Sequence, residues 1–400
     1  MQRHFIRNAV ILGLLSAIGP FAIDMYLPAL PTIGQSLDAD IKAVQLSLML
    51  FFLSFGGFQL VFGPLSDMFG RKLPLYIGLA LFAVGGIGCA LAPDITTLNI
   101  FRFIQGIGAC AGMVISRAVV RDLHTGIDAA RMMSLLMLVF SISPILAPLT
   151  GSIVIELADW RWVFWVVTVA ALLGIVMIAT MLPETRLKAQ RVESGIGSAL
   201  AAYRLLFSDG NFLALTFIGG FGIASFFVYL ANSPFVLIGH YGLTPTLYSV
   251  FFSINAVSFF AVSQFTGKLA DRFGLTRVVR IAVIGYFLSI AALFALFAAG
   301  VDRLDVLAVL MFMGCGFLGL VIPTTAVLAL EEHGEIAGTA SALMGTLHFA
   351  AGAVAMALVG IFVDGTAFPM VAGIAACALI TFLLTQMILR QRRPAEVPAE

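Results

Sequence analysis

Long apolar runs alternate with short polar breaks along the whole chain. A helix needs roughly 20 apolar residues to cross a bilayer core of about 30 Å. Backbone groups in lipid must bond to one another, so continuous apolar runs are helices, whereas a β-barrel shows short segments of alternating polarity. Charges, prolines and glycine clusters mark the breaks. They predict twelve helices, numbered 1 to 12, at 8–30, 43–63, 74–92, 97–118, 133–156, 161–182, 211–236, 246–267, 278–299, 304–329, 337–362 and 367–389.

A short polar motif between two apolar runs occurs twice. Gly63-Pro64-Leu65-Ser66-Asp67-Met68-Phe69-Gly70 follows predicted helix 2, and Gly267-Lys268-Leu269-Ala270-Asp271-Arg272-Phe273-Gly274 follows predicted helix 8. Both have the pattern G-x-L-x-D-x-F-G, at the same place in each half. We therefore predict an all-α polytopic membrane protein of two pseudo-symmetric six-helix bundles. The predicted divisions are 1–182 for the first bundle, 183–210 for a linker, 211–393 for the second bundle and 394–400 for a short tail.

The composition agrees with the prediction of a membrane protein. The 400 residues are 61% hydrophobic and 11% charged, with a mean hydropathy of +1.07, whereas soluble domains are about 25% charged. The four cysteines lie inside apolar runs without paired spacing, which indicates small core residues rather than disulfides or metal ligands. The first apolar run has no small-residue cleavage site, so we expect an uncleaved helix. No phosphate-binding loop or metal-ligand spacing is present in the sequence, so we expect no enzyme activity, metal or cofactor.

The basic residues are distributed unequally between the two sides of the predicted membrane. Of the 22 Lys and Arg residues, 18 fall on one side, with Lys42, Arg161 and Arg303 on the other and Arg102 within a helix. Loops rich in Lys and Arg stay in the cytoplasm. We therefore expect both termini to be cytoplasmic.

Two charged residues lie at membrane depth. Asp24 is in predicted helix 1 and Arg102 in predicted helix 4, each roughly 8 to 10 Å from the outer surface at a rise of about 1.5 Å per residue. A buried carboxylate is costly, so Asp24 is expected to face protein or a water-filled cavity. If the two residues meet, Arg102 favours the ionised carboxylate and burial favours the neutral one, and entry of substrate or water would shift that balance. The alternative is a static ion pair that joins two helices.

Other polar groups within the helices are candidates for a substrate cavity. Among these we favour Tyr26, Gln105 and Asn232, although such side chains often bond only to neighbouring helices. Pro144 and Pro148 in predicted helix 5 indicate a kink or hinge there.

With these residues identified, the chain resembles the major facilitator superfamily over nearly its whole length. Gly63-x-Leu65-x-Asp67-x-x-Gly70-Arg71-Lys72 is similar to the signature loop between its helices 2 and 3, and Arg102-Phe103-Ile104-Gln105-Gly106 to its proton-coupling motif in helix 4. Three further stretches look like the Bcr/CflA drug:proton antiporters, whose members export bicyclomycin, phenicols and sulfonamides from bacteria. They are Asp24–Pro31, Ser116–Asp122 and Ala337–Ser341.

The sequence also departs from the superfamily in two places. The exporter motif Gly-Pro-x-x-Gly-Gly reads here Ala147-Pro148-Leu149-Thr150-Gly151-Ser152, which weakens the inference that transport is outward. Met68 replaces a residue that is often basic.

The resemblance implies an antiporter in the bacterial inner membrane, driven by a proton gradient without a cofactor. Asp24 and Arg102 would couple the proton to cargo release, while two six-helix bundles rock around a central site. Residues implied in locking the cytoplasmic side of the outward-open state are Gly63, Asp67, Gly70, Arg71, Asp122 and Asp271. The expected partners are protons, lipid and small, mostly apolar substrates, with no nucleic acid, and the chain is expected to be a monomer.

The sequence leaves three alternatives open. The same fold could carry a metabolite such as a nucleoside or sugar. A non-transporting sensor or scaffold would be expected to have a soluble domain or a long signalling tail, and the predicted tail is short. A passive channel has no clear use for repeated state-locking loops.

Overall fold

The computed structural model describes residues 2–124, 126–186 and 196–389. Twelve helices in these ranges are long and apolar enough to cross a membrane, which confirms the predicted all-helical, twelve-span fold. Their bounds are α1 Gln2–Asp24, α2 Ile41–Phe69, α3 Lys72–Ala90, α4 Ile95–Leu123, α5 Gly126–Leu157, α6 Arg161–Met181, α7 Gly210–Pro234, α8 Pro245–Ser263, α9 Leu275–Ala298, α10 Leu304–Leu330, α11 Ala337–Ile361 and α12 Phe368–Leu389.

Side-chain caps explain where several of these helices begin. Asp40 accepts a hydrogen bond from a backbone N–H in the first turn of α2, and Asp94 does the same for α4. Asp209 caps α7 and Thr244 caps α8 in this way. Each cap satisfies a donor that the helix itself leaves free.

The first span is interrupted, contrary to the prediction of one helix over 8–30. The helix α1 ends at Asp24, a 3-10 turn follows at Leu27–Ala29, and the chain continues as a second helix, Leu30–Ser36. Pro28 and Pro31 explain the change, because proline has no N–H to continue a helix and fits its first turn.

The repeated loop has the same backbone turn in both copies. Gly70 after α2 has φ 91° and Gly274 after the short helix Thr266–Phe273 has φ 79°. A residue with a Cβ is strained in this region, which explains why the motif ends in glycine both times. The copies also differ, since α2 runs unbroken to Phe69 whereas α8 stops at Ser263 before that short helix begins.

Helices α1 to α6 pack mainly on one another, and so do α7 to α12. The main contacts between these two groups are α2 with α11 and α5 with α8. The predicted linker contains a helix, Ile196–Ser208. Residues 187–195 of the linker and the predicted tail lie outside the described residues. Because twelve is even, α1 begins and α12 ends at one face of the bundle, called here the terminal face. The turn between α1 and α2 lies at the opposite face.

Candidate functional site

The two halves are joined by hydrogen bonds along α2 and α11. Near the opposite face, Lys42 Nζ donates to the carbonyl of Ile361 at 3.1 Å. Further along the same pair of helices, Thr346 donates to the carbonyl of Gly56 at 2.8 Å. The helices therefore run antiparallel and in contact from the opposite face to about the middle of α2.

A second set of bonds joins α5 to α8. Thr246 donates to Glu156 near the opposite face. Ser249 donates to the carbonyl of Pro148 at 2.8 Å, and Ser253 to that of Ile145 at 2.9 Å. These contacts also begin at the opposite face, so the structure is closed there.

Gln45 and Asn232 form a buried bridge between the halves. The Gln45 amide, on α2, donates to the Asn232 side-chain oxygen at 2.9 Å and to the Ala231 carbonyl at 3.1 Å, both on α7. Only 4% of Asn232 is exposed. The sequence predicted that Asn232 lines a cavity. In this conformation Asn232 lies instead in the closed interface between the halves.

Asp24 lies at the end of α1, beside the contact between α5 and α8. It is 5% exposed, and among the described residues its carboxylate has no hydrogen bond or ion pair. The backbone after it packs tightly on α5, since a Cβ on Gly151 would lie 2.2 Å from the Met25 carbonyl oxygen. The 3-10 turn Leu27–Ala29 that follows Asp24 also contacts α8. Asp24 is thus a buried acid at the boundary between the halves.

Arg102 lies in the core of the first half and is fully buried. One guanidinium nitrogen donates to Gln105 at 2.8 Å, and the guanidinium carbon lies 4.3 Å from the ring centres of both Tyr26 and Phe51. Its Nε and Nη2 have no partner among the described residues. The positive charge is therefore held by aromatic faces and one amide.

The structure does not pair Arg102 with Asp24, and the reason is the interruption of the first span. The chain leaves the α-helix directly after Asp24, and this turn brings Tyr26, two residues later, onto the guanidinium. The Tyr26 hydroxyl is held by Ser47 at 2.7 Å. Two of the predicted cavity residues, Tyr26 and Gln105, thus surround Arg102, and both are fully buried in this conformation.

The signature loop forms a compact ionic network at the terminal face. Arg71 donates to Asp67 at 2.7 Å and to both oxygens of Asp122 at 2.7 and 3.1 Å. Ser66 also accepts from it at 2.7 Å. Burial opposes the charge of Arg71, but the bonds and charges of the two carboxylates outweigh burial and raise the pKa of the guanidinium. Arg71, Asp67 and Asp122 were all candidates from the sequence.

Glu184 completes the network and was missed in the sequence analysis. Its carboxylate accepts from the backbone N–H of Arg71 at 2.8 Å and of Lys72 at 3.1 Å, where α3 begins. Thr185 donates to Asp122 at 2.9 Å. The signal in the sequence was Pro183-Glu184-Thr185-Arg186, an acid directly after α6 at the face that carries the basic loops.

The second copy of the loop forms no such network. Asp271 is exposed and has no ion pair among the described residues. The position that matches Arg71 at the offset of the repeat is Leu275, so the guanidinium that gathers the carboxylates in the first half has no counterpart. In this conformation Asp271 therefore takes no part in a lock.

The predicted hinge prolines both lie inside α5, which remains helical around them. Pro148 also offers its carbonyl to Ser249 of the other half. A hinge at these positions stays a prediction.

Comparison with known proteins gives a consistent result. The family model of the Major Facilitator Superfamily matches residues 12–356. An uncharacterized MFS-type transporter, YdgK of Bacillus subtilis, is 37% identical over 90% of both chains. A bicyclomycin resistance protein homolog of Haemophilus influenzae is 31% identical over 93% of both. Multidrug resistance protein D of Escherichia coli is 30% identical over 84% of both.

Solved structures share the fold at low sequence identity. A D-xylose-proton symporter matches with a TM-score of 0.73 and 16% identity, over 94% of this chain and 97% of that one. The nucleoside transporter NupG matches with a TM-score of 0.73 and 15% identity, over 96% of this chain and 100% of that one.

Proposed function

This chain belongs to the Major Facilitator Superfamily, and we propose that it is a proton-coupled antiporter that exports small, mostly apolar drugs or toxic compounds. The unequal distribution of Lys and Arg supports a cytoplasmic terminal face. The bacterial relatives support a place in the inner membrane, and we propose that the protein acts there as a monomer. The closed opposite face then faces outward, and the structure is the state in which the outer path is shut.

The observation that carries this proposal is the buried, unpaired carboxylate of Asp24 between the halves. An ionised carboxylate without a partner in a low-dielectric interior costs on the order of several kcal/mol. Asp24 is therefore neutral, and holds a proton, while the interface around it stays closed. Water that enters when the interface opens solvates the carboxylate and lets the proton leave or return.

Arg102 tunes this step through Tyr26. The guanidinium is fixed against the Tyr26 ring, in the segment that directly follows Asp24. Since Arg102 lacks a carboxylate partner here, any motion of that segment that brings Asp24 closer favours the ionised form. The interface would close when Asp24 is neutral and open when Asp24 is charged. Binding and release of the proton would therefore be linked to the direction in which the halves rock.

The bonds that close the outer path are the ones that transport must break. Each hydrogen bond contributes about 0.5–1.5 kcal/mol net, and water replaces it when the interface opens. The network around Arg71 lies at the other face, where Asp67 is 43% exposed on its side chain. We propose that Asp67 contacts the second half when the inner path shuts, while Gly63 and Gly70 shape the loop. This contact would compensate for the outer hydrogen bonds that are lost in that state.

Relatives support drugs rather than metabolites as cargo. Two relatives, 31% and 30% identical over 93% and 84% of both chains, are named for bicyclomycin and multidrug resistance. The sugar and nucleoside transporters are similar at about half that identity and support the fold alone.

Drug susceptibility of an efflux-deficient bacterium tests the proposal. The panel contains bicyclomycin, chloramphenicol and a sulfonamide, with wild type, Asp24→Asn and the matched control Asp38→Asn, which changes an exposed acid beyond the same span. We expect resistance from wild type and the control, and its loss in Asp24→Asn at equal expression. Resistance that survives in Asp24→Asn would remove Asp24 from the mechanism, and no resistance from well-expressed wild type would favour a metabolite transporter.

A further inference from the structure

Aromatic rings from both halves meet where α2, α7 and α11 come together. The rings of Phe52 and Phe227 are stacked face to face, with centres 4.2 Å apart and planes 4° apart. Phe349 lies 4.9 Å from Phe55 and 5.3 Å from Phe227. These four rings, Phe52 and Phe55 from the first half with Phe227 and Phe349 from the second, are called here the aromatic plug.

The aromatic plug lies at the middle of the membrane-spanning region. Phe55 is the central residue of Ile41–Phe69, and Phe349 is the central residue of Ala337–Ile361. Transporters of two related halves bind cargo at this depth, between the halves. The plug therefore occupies the place where the cargo of an alternating-access transporter is expected.

Two glycines make room for the rings. A Cβ on Gly56 would lie 2.4 Å from Cβ of Phe349, and a Cβ on Gly352 would lie 2.1 Å from Cδ2 of Phe227. A side chain at Gly56 would push α2 away from α11, and one at Gly352 would displace the Phe227 ring. The close contact of the plug is thus built into the backbone of α2 and α11.

The stacked pair must separate when the halves rock, because one ring belongs to each half. Each half then presents a bare aromatic face to the cavity. A planar ring inserted between Phe52 and Phe227 would restore a stacking contact on both of its faces, whereas a puckered saturated ring cannot. The same two rings that close the empty transporter would bind a flat cargo in the open one.

A polar group lies on the same stripe of α2. Gln59 is seven residues after Phe52, which is roughly 10 Å along a helix. It is 4% exposed and its Nε2 has no partner among the described residues. Its oxygen lies 3.0 Å from where a Cβ on Gly345 would be, so the amide faces α11 across the boundary between the halves. An amide donor that is buried without an acceptor can bond a ligand oxygen that reaches this point.

We propose that this transporter prefers cargo with a planar aromatic ring and an oxygen acceptor about 10 Å away or less, with the ring between Phe52 and Phe227 and the oxygen at Gln59. This inference rests on the proposed transport function and specifies its substrate class. It adds two selective contacts to a site that otherwise recognises apolar surface.

Binding to the purified full-length chain in lipid nanodiscs tests the inference without requiring transport. The probes are 2-acetylnaphthalene, its fully saturated decalin counterpart and 2-ethylnaphthalene, measured by equilibrium dialysis with empty nanodiscs as background. We expect wild type to bind 2-acetylnaphthalene about tenfold more tightly than the saturated ketone, from two stacking contacts. We expect a similar factor over 2-ethylnaphthalene, which has no acceptor for Gln59.

Variants then assign the two preferences to residues. Phe52→Leu and Phe227→Leu should each bring the ratio of aromatic to saturated ketone close to one, and Gln59→Leu should remove only the preference for the ketone over 2-ethylnaphthalene. The matched control is Phe294→Leu, since this ring pairs with Phe368 on α12, away from the boundary between the halves. It should keep both ratios.

The inference is overturned if wild type binds the aromatic and saturated ketones equally, a comparison that needs no variant. It is also overturned if both ratios persist in Phe52→Leu and Phe227→Leu, or if Phe294→Leu lowers them as much. If either Phe52→Leu or Phe227→Leu fails to fold, the ratios of the other variant decide. If the protein prefers the aromatic probe but shows no proton-coupled transport, only the proposed function is overturned. If it shows proton-coupled transport without that preference, only this inference is overturned.

Discussion

Gln45 should hold the outer path shut, and its replacement should open that path measurably. In the structure the Gln45 amide donates two bonds to α7, at 2.9 Å to Asn232 and 3.1 Å to the Ala231 carbonyl. Gln45→Leu leaves the Asn232 side-chain oxygen buried without its donor in the closed state, whereas water satisfies this oxygen in the open state. A buried unsatisfied group costs about 1–3 kcal/mol, which shifts the equilibrium towards opening by roughly 5- to 150-fold.

Spin labels can read this shift as a distance across the opposite face. Leu91 at the end of α3 and Phe362 at the end of α11 belong to different halves and are 66% and 71% exposed. With labels at both, double electron–electron resonance should give one short distance for wild type and an added long one for Gln45→Leu. Asn232→Leu should act similarly, and the double variant should add little, since the two residues form one bond.

The matched control is Gln35→Leu, which changes an exposed glutamine at the same face. It should leave the short distance unchanged. If Gln45→Leu also keeps only the short distance, the bridge between Gln45 and Asn232 does not hold the outer path shut.

Three further predictions concern other parts of the molecule. Arg71→Lys should lower the thermal stability of the purified protein and slow transport, because an ammonium cannot reproduce the forked bonds to two carboxylates; unchanged melting and transport would contradict this. Gly56→Ala should reduce transport at normal expression, because its Cβ would lie 2.4 Å from Phe349 Cβ; wild-type transport would show that the plug tolerates the clash. Bonds from the α7 backbone and His333 outweigh burial and lower the pKa of Asp209 below its ordinary 3.8. The ionised Asp209 carboxylate therefore contributes fully to stability above its ordinary pKa, and this contribution is lost as the pH falls through the folded pKa. Asp209→Asn should reduce the fall in melting temperature at acid pH. An unchanged dependence of melting temperature on pH would exclude the contribution.

The hydrophobic pattern predicts the twelve spans because each one is a property of about 20 consecutive residues. The repeat likewise predicts a shared turn, since Gly70 and Gly274 both have a positive φ. The charged members of the first loop were predictable from resemblance, and Arg71 does join Asp67 to Asp122. These features depend on residues that are close in sequence or constrained by a known motif.

The contacts between helices could not be read in this way. Equal depth suggested that Asp24 meets Arg102, but depth does not determine the direction of a side chain, and the turn after Asp24 brings Tyr26 onto the guanidinium. Asn232 looked like a cavity residue because it is polar within an apolar run. Its partner, Gln45, lies in the other half, and only the packing of α2 against α7 shows this.

Asp24 should carry the coupled proton. The most direct test uses proteoliposomes that hold a pH-sensitive dye, with proton flux recorded when a transported drug is added to wild type or Asp24→Asn. We predict a drug-dependent flux from wild type and none from Asp24→Asn, although the variant still binds the drug. A drug-dependent flux of normal rate from Asp24→Asn would show that Asp24 does not carry the coupled proton.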